Sequence, residues 1–396
     1  MSVGRKNRNR KIKQENFFDY TLLFVVLFLL LFGLIVLYSV SSYEANIKFG
    51  DGAYYLKNQM KATALGLGVF AFAILVDYHL WQKVSIIAYI FSLFMVLLIV
   101  TPLGRTYNGA RRWLDLGGIS LQPVEIVKVA LIMVLAAFIS AIGTKIKDNK
   151  AILWAGIILA IPTAMIFFIT RNASSAIILV GIATVMFFMA DPKYLRYGVL
   201  AIIVAIGLVF YVFLSLHKAQ SAEGTGDFRK NRVVAWLHPD DYSSDTSFQT
   251  LQGMYAIGSG GVFGKGLGES VQKMKLPEAQ NDMVFCIICE ELGVFGGLCV
   301  IALFLLLIYR CMVIASNAPD TFGALLVSGV MGHFALQVMM NIAVVTNSMP
   351  NTGVTLPFIS YGGTSVLFLL AEVGIVLNVS KNIKTKEAVV YESRRA

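Results

Sequence analysis

The sequence predicts an all-α integral membrane protein of about ten transmembrane helices, and three observations predict it. Apolar residues make up 57% of the 396-residue chain and charged residues only 14%, whereas a soluble globule carries about 25% charge and needs it to cover its surface. The mean hydropathy is +0.72. The apolar residues fall in runs long enough to cross about 30 Å of hydrocarbon as helices. The same figures exclude a disordered chain, a coiled coil and a small disulfide-bonded secreted domain.

The elements follow in order. Residues 1–19 form a basic tail with Arg5, Lys6, Arg8, Arg10, Lys11 and Lys13. The apolar run from Tyr20 to about Val40 is too long for a signal-peptide core and has no small-residue cleavage site, so it is predicted as the first span with its N-terminus inside. Further spans are predicted near 61–76, 84–101, 124–142, 152–170, 174–190, 198–216, 284–309, 323–345 and 362–379. Only Arg171 and Asn172 interrupt the region 152–190, and a tight hairpin is expected at Arg171–Ser175. The membrane domain covers 20–380, with a large extracytoplasmic loop at 217–283 between spans seven and eight. Residues 381–396 form a second tail. An even number of spans puts both termini in the cytoplasm.

The net charge of +10 reads as the cytoplasmic excess of Lys and Arg that orients membrane proteins, and not as nucleic-acid binding. Cys286, Cys289, Cys299 and Cys311 lie in one apolar stretch. The C-x-x-C of Cys286 and Cys289 has no second ligand pair, so all four read as small packing residues. No internal repeat and no matching pair of Gly/Pro-broken helices points to an inverted-repeat transporter.

Three segments differ from the rest, and all are expected outside. The first is 101–128, where Arg105, Arg111 and Arg112 gather beside Trp113, and where Glu125 and Lys128 share a helix face. Arginines there suit a phosphate-bearing lipid headgroup through bidentate bonding, although a snorkelling collar with a satisfied ion pair would look the same. The second is the Gly-rich, charged half of 217–283. Gly264-Lys265-Gly266 lacks the Ser or Thr of a Walker A motif and Ser259 stands where its first glycine would be, so a nucleotide loop is excluded. A loop folding over an anion near Lys265 and Lys273 is the functional expectation, and a solvated connector the bland one. Asp282 closes this loop at the membrane edge, where a carboxylate ionises cheaply and suits a base. Glu290 and Glu291 lie about two turns deeper, and ionisable groups at that depth are functional candidates by default. The third segment, 346–365, is apolar but interrupted by Pro350, Pro357, Gly353, Gly362 and Gly363. It is expected as a re-entrant segment before span ten, because irregular backbone at depth must be buried in protein or line a cavity.

NGARRW with LQPVEIVK, then AIGSGGVFGKGLGESVQKMKLPEAQND with EELG, then LPFISYGGTS, resemble the SEDS family (shape, elongation, division and sporulation proteins) over essentially all ten spans. GLGESVQK and LPEA are closer to its FtsW/SpoVE branch than to its RodA branch. The resemblance implies a peptidoglycan glycosyltransferase of the bacterial cytoplasmic membrane that polymerises lipid II, in division or sporulation, beside a class B penicillin-binding transpeptidase. Carried over by position, the family's essential carboxylate falls on Asp282. Its arginines fall on Arg111 and Arg112, and its outer-helix pair on Glu125 and Lys128. Its loop glutamines fall on Gln249 and Gln252, its proline–glutamate pair on Pro277 and Glu278, and its Ser-Tyr-Gly-Gly turn on Ser360 to Gly363. Two departures stand out. Gln280-Asn281 replaces the His-Thr that many relatives carry before the essential Asp. Asn172-Ala173-Ser174-Ser175 replaces an Asp-Leu-Gly-Thr. Glu372 matches no assigned family position.

An α-linked donor that becomes a β-linked chain is inverted, so one displacement and one base suffice. The expected base is Asp282. The diphosphate needs its developing charge stabilised, which is expected of Arg111, Arg112, Lys128, and Lys265 or Lys273. No resident cofactor or metal motif is read, and a divalent cation, magnesium or manganese, can accompany the substrate diphosphate. Two other readings stand beside polymerisation. A lipid II flippase predicts polar groups at mid-membrane, and a non-catalytic scaffold of the division complex predicts that an inactive Asp282 variant still supports growth.

Overall fold

The computed structural model describes residues 17–107, 110–115, 117, 120–191, 232, 236 and 245–383. The expected seventh span at 198–216, both basic tails up to residue 16 and from 384, and most of 217–244 lie outside the described residues. Among the described residues nine helices are long and apolar enough to cross a membrane. They are α1 (Tyr20–Phe49), α2 (Tyr54–Leu75), α3 (His79–Leu98), α4 (Pro123–Ile142), α5 (Asn149–Phe168), α6 (Ala173–Ala190), α8 (Val284–Ser316), α9 (Thr321–Val345) and α10 (Gly363–Lys381), with a shorter α7 (Asp245–Ser259) before α8.

The helices start and stop for local reasons. Asp19 caps α1 by accepting the Leu22 N–H at 2.9 Å, and Gly50 ends it in the left-handed conformation at φ 68°. Asn172 caps α6 by accepting from Ser175 N at 3.1 Å, which makes the expected hairpin between α5 and α6. Pro123 opens α4 at its first turn, where its missing N–H costs no helical bond. Helices α9 and α10 are mostly buried and form the centre, whereas α3 and α5 bury little and present apolar side chains such as Ile86, Ile90, Leu153 and Trp154 outward.

Within this helical membrane fold one stretch, 101–121, is not helical. The segment folds as a three-stranded antiparallel sheet, β1 (Gly104–Tyr107), β2 (Ala110–Asp115) and β3 (Ser120–Leu121), in that order. Its buried Leu114 packs with Met95 and Ile99 at the end of α3, and Arg105 pairs with Asp115 across the first two strands. The sheet thus hangs Arg111 and Arg112 on a fixed strand.

Helix α8 is not continuous. Gly293 breaks it at φ 71°, ψ −174°, a conformation essentially reserved for glycine. The opened carbonyls of Glu290 and Glu291 accept from Lys265 N at 3.0 Å and Gly266 N at 2.9 Å, while Val294 N and Phe295 N donate to Gly261 O and Val262 O. The Gly-rich loop therefore docks into the break of α8, well along the helix. Val262 and Phe263 remain exposed on it.

Candidate active site

Asp282 sits one residue before the N-cap of α8, at the end of the bundle opposite Asp19. It is 9% exposed. Three pieces of chain surround it. From α7, Gln249 Nε2 lies 3.5 Å from Asp282 Oδ1 and donates to Pro277 O at 3.3 Å, while its Oε1 accepts from Asn351 Nδ2 at 3.0 Å. From the segment 346–362 comes Gly353, held at φ 69°. A methyl group built on Gly353 would stand 3.8 Å from Arg232 Nη2 and 3.9 Å from Asp282 Oδ2. The backbone at 353, the guanidinium and the carboxylate therefore meet at one point. Glu278, at φ 52°, turns the chain before Asp282 and accepts from Asn281 Nδ2 at 3.1 Å.

This environment sets the acidity of Asp282. Burial pushes its carboxyl up to about 6; the Arg232 charge and a backbone N–H oppose that rise, and Glu278 adds to it. Burial in turn lowers the Arg232 guanidinium from its ordinary value, against the pull of Asp282. A carboxylate so poised is a better proton acceptor near neutral pH than a solvated aspartate, yet still ionised.

The segment 346–362 is irregular backbone, exposed at Thr346, Ser348 and Gly353 and buried from Leu356 to Ser360. Asn351, Val354, Leu356, Phe358, Ile359 and Ser360 are all buried. Ser360 Oγ accepts from Leu356 N at 2.8 Å and closes the Leu356–Ser360 turn. Tyr361 N donates to Gln280 O at 2.8 Å, which ties this turn to the Asp282 segment. Gly362 N donates to Gln59 Oε1 of α2 at 3.3 Å, and Tyr55 meets the Tyr361 ring edge-on. Ser174 at the start of α6 donates to Thr352 O at 3.0 Å.

The other expected residues divide into two groups. Arg112 donates to Thr170 O at 3.4 Å and to Arg171 O at 3.1 Å, next to the start of α6, where Ser174 holds Thr352. Arg111 is exposed and donates to Val100 O. Both sit at the Asp282 end of the bundle. Gln252 is buried on α7, one turn after Gln249. By contrast, Lys128 is 3% exposed and holds Glu125 at 2.8 Å. Lys265 is held by Glu290 at 2.6 Å and Lys273 by Gly268 O and, at 3.6 Å, Glu291. The structure does not bring Lys265 and Lys273 to Asp282. Glu290 also receives Ser270 and the backbone of Val271, and Glu291 receives Ser39 of α1 at 2.7 Å. These two deep carboxylates fasten the Gly-rich loop to α8 and α1. The four cysteines are free.

Sequence reasoning missed Arg232, Asn351 and Asn341. Arg232 carried no readable signal, being one cation in a polar loop. Asn341 did carry one, because His333, Gln337 and Asn341 repeat at four-residue spacing inside an apolar span.

Fold and site together define a multi-span helical membrane protein with a buried, raised carboxylate and arginines at the same end of the bundle. The FtsW/RodA/SpoVE cell cycle protein model matches residues 20–385, and the chain belongs to that family. It is 36% identical to stage V sporulation protein E of Bacillus subtilis over 92% of this chain and 97% of that one. It is 34% identical to the probable peptidoglycan glycosyltransferase FtsW of Geobacter sulfurreducens over 96% and 99%. Among solved structures, a chain from a peptidoglycan synthase complex that coordinates polymerization and crosslinking superposes with a TM-score of 0.76 at 25% identity, over 92% of this chain and 98% of that one. Rod shape determining protein RodA of Thermus thermophilus shares the fold, at a TM-score of 0.68 and 23% identity over 93% and 98%.

Proposed function

We propose that the chain is a peptidoglycan glycosyltransferase that polymerises lipid II, with Asp282 as the base. The observation that carries this reading is the Asp282 carboxyl itself, buried, raised to about 6 and held beside Arg232 and Gly353. The C4 hydroxyl of the acceptor glycan loses its proton to Asp282 as it attacks the anomeric carbon of the donor. The bond to the polyprenyl diphosphate breaks in the same displacement, and the diphosphate leaves as the anion. Arg111, exposed on β2, and Arg112, anchored at the α5–α6 hairpin, are assigned to that anion. Arg232 keeps part of the Asp282 population ionised. Gln249 and Asn351 orient the carboxylate. Gln252, Glu278 and Ser360 shape the walls of the site. Lys128, Lys265 and Lys273 already face carboxylates and are assigned to holding the site's frame. A magnesium or manganese ion belongs to the substrate diphosphate in this scheme.

A groove of about 590 Å³ between α1, α2 and the loop at 267–273 is lined by Leu34, Ile35, Tyr38, Leu56, Met60 and Leu267, with Lys273 at its edge. It opens on the same turns of α2 whose Tyr55 and Gln59 touch the Tyr361–Gly362 turn. We assign the polyprenyl chain to it, since apolar walls match a hydrocarbon tail. The active end is extracytoplasmic in this reading and both termini are cytoplasmic, in the bacterial cytoplasmic membrane. The partner is a class B penicillin-binding transpeptidase within a division or sporulation complex.

The test is electrophoresis of glycan made from lipid II by the purified protein, alone and with a candidate transpeptidase. Ladders from the wild type and none from Asp282→Ala are expected. Vesicles in which lipid II crosses the bilayer while no glycan forms would overturn the reading in favour of a flippase.

A further inference from the structure

Three polar side chains, His333, Gln337 and Asn341, line one face of the central helix α9, and all are 1–2% exposed. Asn341 Nδ2 donates to Asp282 O and to Val354 O, each at 2.8 Å. One amide thus clamps the backbone that carries the carboxylate onto the irregular segment that carries Gly353. One turn on, Gln337 Nε2 donates to Thr355 O at 3.0 Å, and its Oε1 accepts from His333 Nε2 at 2.8 Å and from Lys128 Nζ at 3.4 Å. A further turn on, His333 Nδ1 lies 2.8 Å from Glu372 Oε2 of α10.

The donor inventory fixes the protons along this row. Thr355 O only accepts, so the Gln337 amino group faces it and the Gln337 carbonyl faces His333. A carbonyl cannot donate, so His333 Nε2 carries a hydrogen. The remaining ring nitrogen, Nδ1, then faces the Glu372 carboxyl at 2.8 Å. The bonds made by Asn341 and Gln337 each have a set direction, which makes the row a strut and not a set of interchangeable contacts. Glu372 gains a role that no sequence motif gave it.

One feature marks this strut as more than packing. The Asn341 Oδ1 is buried with no hydrogen-bond partner among the described residues. A buried unmet acceptor is unfavourable, and an apolar side chain would fill the space without it. What only the amide supplies is a donor that reaches both backbones at once.

We propose that Asn341 and Gln337 are positioning residues for polymerisation, setting Asp282 against the 353–355 backbone, with the His333–Glu372 pair locking the strut. The inference rests on the reading of Asp282 as the base. Small displacements of a reacting group are expensive, about 10²-fold for an ångström, so the loss should appear in turnover and not in binding. The groups facing Asp282 itself, Arg232, Glu278 and Cys286, are unchanged by the substitutions below.

The experiment measures kcat and KM for lipid II with full-length Asn341→Ala, Asn341→Ser, Gln337→Met and Asp282→Asn, each normalised to its folded fraction. Asn341→Ala is expected to lower kcat about 10–100-fold with KM within about threefold of wild type. Asn341→Ser keeps one donor and recovers part of that loss. Gln337→Met lowers kcat about 3–10-fold. Wild-type kcat in Asn341→Ala, a loss confined to KM, or a serine variant no better than the alanine one overturns the proposal. Should Asn341→Ala not fold, wild-type kcat in Gln337→Met overturns it. An active Asp282→Asn removes the base reading and this proposal with it. An inactive Asp282→Asn beside a fully active Asn341→Ala removes this proposal alone.

Discussion

Asp282 carries two opposing pulls, and they make its behaviour with pH calculable in sign. Its folded value of about 6 lies above that of an ordinary carboxylate, so the folded protein binds this proton more tightly than the unfolded chain does. Ionising it works against stability as pH rises from about 4 to 6. Catalysis needs the ionised form, so activity should rise as pH passes through about 6 and level off above it. Arg232 lowers the carboxyl, so its removal must raise it. In Arg232→Gln the acidic limb of the rate profile should move to higher pH by about one unit. A limb that stays in place, or moves to lower pH, contradicts the pairing. Asp282 itself was legible in the sequence, because a lone acid at the mouth of an apolar span, in a family-like stretch ending QND, singles itself out. Arg232 was not legible, since nothing in the chain order says which of several cations in 217–283 folds back on that acid.

Elements show the same division. Nine of the ten expected spans fall among the described residues and were legible because length and apolarity decide them, and the structure moves most of their boundaries by a few residues. The first helix runs to Phe49 and not to about Val40, because Glu44 and Lys48 pair along its face and polar turns stay helical beyond the hydrocarbon. The sheet at 104–121 was not legible. Its strands are two to six residues long, and its stability comes from Leu114 meeting Met95 and Ile99, a contact distant from any local pattern. The glycines of 260–266 read as flexible, yet they serve close packing on the break in α8. A methyl group on Gly293 would collide with Val262 O and Gly264 N. Gly293→Ala therefore combines a forbidden backbone with a clash, and should cost at least about 2 kcal/mol. A depressed thermal midpoint in detergent checks it, and an unchanged midpoint would show that the break is not a fixed element.

At the scale of the whole molecule, the bundle is pinned at both ends by buried charge. At the Asp282 end, Glu125 with Lys128, Glu290 with Lys265 and Glu291 with Lys273 hold the frame. At the opposite end, Asp19 caps α1, accepts from Arg310 of α8 at 2.6 Å and donates its N–H to Ser380 of α10 at 3.0 Å. The Asp19 side chain is fully buried, so Arg310→Met leaves it without its counter-charge. That should destabilise the fold by about 3 kcal/mol, and Asp19→Asn in the same background should restore part of it. No loss in Arg310→Met would contradict the pinning. Lys128, Lys265 and Lys273, expected from sequence to hold the diphosphate, each face a carboxylate of the protein. Charge counting along the chain cannot separate cations that face a ligand from cations that neutralise a neighbour.

Catalysis at this site turns on a single proton acceptor, and the rate of lipid II polymerisation against pH for wild type and Asp282→Asn tests that acceptor most directly. The wild type should show an acidic limb centred near pH 6. The asparagine variant, similar in shape and unable to take the proton, should be about 10²–10⁴-fold slower on the plateau above about pH 7 and should lack the limb. An Asp282→Asn protein that polymerises at the wild-type rate, with the same limb, would contradict it.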